Sequence, residues 1–209
     1  MKKADWYFDF ISPFAYIGLV RLAPLAGKLE LRYRPVLFAG LLNHWGQKGP
    51  AEIAPKRVWT FRYCTWWAAQ QGIALRAPAV HPFNPLPYLR LAIAAGNTPD
   101  AIRRIFEALW TTGMHPADEN AFAALAHSLQ VDPARLADPA IKDSLRRETD
   151  AAAARGVFGV PTLVVDEELF WGADAMEFAE AYLADPGIIA TAEMQRAANL
   201  PAGATRRQP

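Results

Sequence analysis

An α/β protein in two discontinuous halves is predicted from three features of the chain. An aromatic run, Ala4 to Phe10, hands over to a helix at Ser12-Pro13. The middle, from Ala51 to about Gly156, is rich in Ala, Leu, Arg, Glu and Trp at helical spacing and holds no convincing strand. Short apolar runs return after Gly156 and lead into one more amphipathic stripe.

Residues 4 to 10 are too few for a helix and carry the aromatic side chains that suit a central strand. Ser12 before Pro13 is a helix start, because the serine oxygen can accept from a free amide of the first turn and proline has no amide to leave unpaired. That helix is predicted to run from Pro13 towards Gly27, with Pro24 bending or ending its last turn. Leu29 to Phe38 alternates Leu29, Leu31 and Tyr33 against Glu30, Arg32 and Arg34, and reads as a second strand. Three glycines among residues 39 to 49 predict a loop. Within the helical block Ile102, Ile105, Phe106 and Leu109 share one helix face, and Asp118 to Leu129 and Asp138 to Arg155 read the same way.

The closing segment predicts a hairpin, Leu163 to Val165 and Leu169 to Trp171, joined by Asp166-Glu167-Glu168. Ala175, Phe178, Ala179, Tyr182 and Leu183 then form the stripe of a last helix opened by Asp174, with Glu177 completing a variant capping box. A β-α-β half and a β-β-α half around a helical block is the element order of a thioredoxin-like fold with an inserted all-helical domain. The boundaries are 1–38 and 157–199 for the thioredoxin-like domain, 39–156 for the insertion and 200–209 for a flexible tail.

Composition narrows the function. Of 209 residues, 22 are basic and 21 acidic, a net charge of +1. A dedicated nucleic-acid binder or anionic-membrane clamp needs a clear basic excess, so neither fits. Apolar residues make up 52% of the chain, enough for a sizeable core. The lone Cys64 excludes an internal disulfide or two-thiol redox pair, and its apolar helical setting marks it as buried and inert. Asp5, Asp9 and Pro13 interrupt any leader-like apolar run, which with the absence of a membrane-length apolar stretch predicts a cytoplasmic protein. Nucleotide-binding glycine motifs, zinc-protease motifs and cysteine clusters are absent from the sequence, so no metal is expected.

Several residues admit both a structural and a chemical reading. Ser12 is a plain N-cap by local pattern, yet its hydroxyl and the helix's free amides point at the same patch of solvent. A hydrolase-type serine nucleophile lacks support: the flanks are Phe10 and Phe14, and no motif brings any of the four histidines near. Pro161 fits an ordinary strand entry or a cis-proline that frees the preceding backbone to bond an extended peptide. Asp174 can cap its helix or bind an ammonium group. Lys48, Lys56 and Arg57 can be a solvated surface or a grip for a small acid's carboxylate. Asn84 is a turn residue with an amide to offer.

Asp9-Phe10-Ile11-Ser12-Pro13-Phe14-Ala15-Tyr16, Gly159-Val160-Pro161-Thr162 and Trp171-Gly172-Ala173-Asp174, in this order around a helical block, resemble the 2-hydroxychromene-2-carboxylate isomerase family. That family belongs with the kappa-class glutathione transferases and DsbA-like thioredoxin folds. The resemblance implies a glutathione cofactor, a small aromatic keto-acid substrate and a homodimer. It maps the active serine onto Ser12 and the residue before the cis-proline Pro161 onto Val160, whose backbone would bond the cysteinyl unit. Trp171, Gly172, Ala173 and Asp174 would hold the γ-glutamyl end, while Lys56 and Asn84 correspond to substrate contacts. The family's polar residue before the Asp is alanine here, so a side-chain contact at 173 is lost.

The expected reaction is glutathione-dependent isomerisation of 2-hydroxychromene-2-carboxylate to trans-o-hydroxybenzylidenepyruvate, or of a close analogue, in aromatic-compound breakdown. A thiol with an ordinary pKa of about 8.5 must be brought towards neutrality. A helix N-terminus contributes about 0.3–1 kcal/mol to the anion, and a hydroxyl hydrogen bond to a charged group about 1.5 kcal/mol or more, so Ser12 outweighs the dipole. A kappa-like transferase would share these residues, and a non-catalytic peptide-binding module would share the cis-proline edge.

Overall fold

The computed structural model describes residues 1–25 and 27–204. Residues 205–209 of the expected tail lie outside that range. The first strand, β1 (Lys2–Phe8), leads to α1 (Pro13–Arg21), a 3-10 turn at Ala23–Leu25 and β2 (Leu29–Pro35). The helical stretch follows as α2 (Phe38–Trp45), α3 (Ala54–Gln70), α4 (Leu86–Ala94), α5 (Pro99–Thr111), α6 (Glu119–Ser128) and α7 (Pro139–Ala154). Then come β3 (Thr162–Val165), β4 (Glu168–Trp171), α8 (Met176–Ala184) and α9 (Ala192–Ala198). Met1–Met176 form one compact unit, and the chain from Glu177 onward forms another. Among the described residues no helix is long and apolar enough to cross a membrane.

The four strands lie in the order β2-β1-β3-β4, with β1 parallel to β2 and antiparallel to β3, and β3 antiparallel to β4. Ala4 to Phe8 are all buried because helices cover both faces of the central strand. On one face Trp6 and Phe8 stack at 4.7 Å and meet Phe106 of α5, which also approaches Tyr16 of α1. On the other, Tyr7 and Val164 pack with Val36, Leu41 of α2 and Ala152 of α7. Each such side chain contributes about 1.5–3 kcal/mol on full burial. Gly18 lets α1 come close to the sheet: a Cβ there would stand 3.0 Å from Pro161 Cγ.

Two expected elements differ. The glycine-containing segment 39–49 is mostly helix, not loop. Gly40 sits inside α2 because a Cβ would press on Thr149 of α7 at 2.9 Å, whereas Gly46, at φ +61°, ends the helix in the left-handed region. The helix after the hairpin, α8, begins at Met176 rather than at Asp174, and α9 follows it. The β3–β4 turn needs only two residues, Asp166 and Glu167, both at positive φ.

Candidate active site

The route from β1 into α1 builds one wall of a cavity of about 430 Å³. Asp9, Ile11, Ser12, Pro13 and Phe14 form that wall; Val160 and Trp171 from the strand end, Lys48, Lys56 and Arg57 from the α2–α3 region and His81 complete much of the rest. Phe38, Phe61, Phe83 and Phe158 make the lining largely aromatic. Such a pocket suits a flat apolar ligand held at a few polar points.

Ser12 caps α1: its Oγ accepts from Ala15 N at 3.2 Å. The hydroxyl proton has no acceptor among the described residues, so Ser12 can cap its helix and still donate into the cavity. The structural and chemical readings of Ser12 are therefore compatible.

The Val160–Pro161 peptide is cis. Strand pairing begins only at Thr162, and neither backbone group of Val160 has a partner among the described residues. A free amide and carbonyl beside Ser12 can receive an extended peptide as a short added strand.

The other candidates divide. Lys56 lies in the cavity wall with Lys48 and Arg57, three basic residues against two acidic ones, Asp9 and Glu52, the latter accepting from Gly49 N at 2.6 Å. Asn84 is outside the wall, although Phe83 and Pro85 belong to it, and its Oδ1 accepts from Leu86 N at 3.1 Å in the expected turn role. Gly172, Ala173 and Asp174 follow Trp171 beyond the wall. Gly172 N donates to Pro161 O at 2.9 Å, and the carbonyl of buried Ala173 accepts from Arg21 Nε at 3.0 Å, leaving the exposed Asp174 carboxylate as the outward polar group. Cys64 is fully buried in α3, and desolvation pushes its thiol up to about 12, consistent with inertness.

Two wall residues escaped the sequence reading. Asp9 is fully buried, with Oδ1 accepting from Ile11 N at 3.1 Å and Oδ2 from Phe38 N at 2.9 Å. Burial raises its pKa to about 7 against the opposing pull of the Phe38, Ile11 and Phe10 amides. The carboxylate thereby ties the approach to Ser12 to the start of α2.

His81, which no motif places near Ser12, reaches the residue before it. Its Nε2 is 2.9 Å from the carbonyl oxygen of Ile11, across seventy positions of chain. A carbonyl only accepts, which assigns the proton to Nε2. Burial lowers the imidazole pKa, outweighing the bond to Ile11 O, and the Arg57 charge pushes the same way, so the ring is held towards neutrality. Nδ1 is then an acceptor, buried without a partner among the described residues. Leaving it so costs about 1–3 kcal/mol, comparable with the about 0.5–1.5 kcal/mol that a hydrogen bond contributes. The next carbonyl back, Phe10 O, accepts from Trp110 Nε1 at 2.8 Å. Neither clamp has a local signature, since both donors arrive from the helical block.

With this geometry in hand, comparison places the chain among known proteins. The family model described as a DSBA-like thioredoxin domain matches residues 3–184. The 2-hydroxychromene-2-carboxylate isomerase of Sphingobium xenophagum is 32% identical over 193 residues, covering 88% of this chain and 99% of that one. The glutathione S-transferase kappa 2 of Caenorhabditis elegans is 23% identical, over 88% of this chain and 93% of its own. A solved 2-hydroxychromene-2-carboxylate isomerase superimposes with a TM-score of 0.76 at 27% identity, over 95% of this chain and 100% of that chain.

Proposed function

The chain belongs to the DsbA-like thioredoxin family and, within it, to the 2-hydroxychromene-2-carboxylate isomerases, and from that membership we propose that it is a glutathione-dependent isomerase. Its substrate pair is 2-hydroxychromene-2-carboxylate and trans-o-hydroxybenzylidenepyruvate, or a close analogue. The observation that carries this is the pairing, in one cavity, of an uncommitted Ser12 hydroxyl proton with the unpaired backbone of Val160. Those two features suit a short peptide bearing an anionic sulfur. When bound, glutathione supplies a thiolate that adds reversibly to the conjugated double bond, lets it turn as a single bond and is returned on elimination.

The chain's own residues bind and orient. Ser12 donates its O–H to the sulfur while keeping its bond from Ala15 N, and the first-turn amides of α1 add their dipole. Val160 pairs with the cysteinyl backbone, Trp171 covers the peptide, and Asp174 meets the γ-glutamyl ammonium beyond it. Lys56, with Lys48 and Arg57, draws the substrate carboxylate to one end, and the phenylalanine walls hold its ring and exclude water. Asn84, next in the chain to Phe83 of the wall, is the remaining candidate for a substrate contact.

Turnover with a catalytic amount of glutathione tests the proposal. Isomer should accumulate with free thiol constant. A stoichiometric fall in thiol would instead assign the kappa-transferase chemistry, and failure of a glutathione column to retain the protein would leave only a peptide-binding module.

A further inference from the structure

We propose that His81 is a positioning residue for Ser12, acting through the Ile11 carbonyl that its Nε2–H holds; this rests on the glutathione reading above. The strand ends at Phe8, so the link Asp9-Phe10-Ile11 has no ladder to fix its peptide planes. Side chains do it instead. The Asp9 carboxylate takes Ile11 N, Trp110 takes Phe10 O and His81 takes Ile11 O, while Ser12 N returns to Asp9 O at 3.1 Å. No other donor reaches Ile11 O among the described residues. The Ile11–Ser12 peptide plane bears on the φ of Ser12, observed at −94°, and so on where its side chain leaves the backbone. Turning that plane swings the proton away from the sulfur without removing any group that binds the peptide.

The surroundings of His81 argue that it is there for this bond and not for stability. Its ring lies among Phe61, Phe83 and Trp110 at 4.9, 6.0 and 6.1 Å, a setting that a phenylalanine would fill. The orphaned Nδ1 offsets what Nε2 contributes to folding. The charged group acting on the ring is Arg57 of α3. A residue that brings the fold little net stability while aligning an active-site hydroxyl fits a trade of stability for function.

The test compares His81→Phe, His81→Asn and His81→Gln with the wild-type chain. Gln reaches about as far as Nε2, whereas Asn reaches only the Nδ1 position. His81→Phe should lower kcat about 10- to 100-fold, the scale for a misplaced group. It should leave KM for glutathione within about twofold, because binding groups are untouched. The thermal midpoint should stay within about 4 °C, and the pKa of the bound sulfur should rise. His81→Asn should behave like Phe, and His81→Gln should recover most of kcat and sulfur pKa. If Phe unfolds the chain, the Asn and Gln pair decides. Wild-type kcat and sulfur pKa in His81→Phe or His81→Asn, or a His81→Gln as poor as they are, would overturn the role of His81 while the isomerase stands. A wild-type chain that fails to retain glutathione would overturn both.

Discussion

Two buried carboxyls four residues apart, Asp5 and Asp9, meet opposite surroundings. Asp5, mid-strand in β1, is bonded by Arg32 at 2.7 Å, Arg34 at 2.9 Å and Arg155 at 2.8 Å. Burial pushes its pKa up, but the Arg34 and Arg155 hydrogen bonds and the Arg34 and Arg32 charges outweigh it and hold the group below its ordinary value. Asp9, just past the strand, has only backbone amides and no cation among the described residues, and burial carries it to about 7. The middle of the strand neutralises its carboxylate with arginine. Past its end, burial raises the Asp9 carboxyl to about 7, so that a substantial fraction stays protonated near neutral pH. In the proposed reaction that matters, since an ionised carboxylate beside Ser12 would repel a sulfur anion and raise the pKa of its thiol.

The largest expected consequence is in the pH dependence of stability. Between the ordinary value of 3.8 and about 7 the unfolded chain releases the Asp9 proton while the folded chain keeps it. The contribution of Asp9 is therefore greatest at the acid end of this window and falls as pH rises, on the order of 4 kcal/mol for the group alone. Asp5 runs the other way: its contribution is complete above 3.8 and is lost as pH falls through its lower folded value. Urea midpoints of wild type and Asp9→Asn from about pH 4 to 8 should differ by a decline that the variant lacks. An Asp9 carboxyl titrating near 4 by carbon-13 resonance would erase the contrast.

Next in size, Asp5→Asn leaves three arginines facing a neutral amide. We expect a loss of about 3 kcal/mol, the low end for breaking a buried pair, because the arginines keep some water. The thermal midpoint should fall by about 6–12 °C with kcat unchanged. A fall in kcat without loss of stability would mean that Asp5 also serves the site. Smallest is Gly159→Ala. A Cβ there would lie 2.5 Å from Trp171 Nε1, so the exposed indole must shift. KM for glutathione should rise about threefold with kcat held; an unchanged KM would remove Trp171 from the binding wall.

The sequence revealed most readily what neighbours in the chain determine. The aromatic run of β1, the Ser12-Pro13 start of α1 and the β3–β4 hairpin each announce themselves within a few residues, and the element order follows. Segment 39–49 misled because glycine weakens helices on average, whereas Gly40 is needed where α2 meets Thr149. Ser12, Val160, Lys56 and Trp171 line one cavity. Asp9 read as nothing more than a polar break, since its burial depends on Phe38 and α2. His81 was invisible because its partner is a backbone carbonyl seventy positions away, and backbone groups carry no sequence signature.

The central claim is that Ser12 stabilises a sulfur anion at the start of α1. Thiolate absorbance of glutathione bound to wild type and to Ser12→Ala, followed across pH, tests it directly. The account expects the wild-type sulfur to titrate near neutrality, and the variant to need a pH about one unit higher, the worth of one hydrogen bond to a charged group. Identical titrations in the two proteins, or a wild-type sulfur still protonated above its ordinary value of about 8.5, would contradict it.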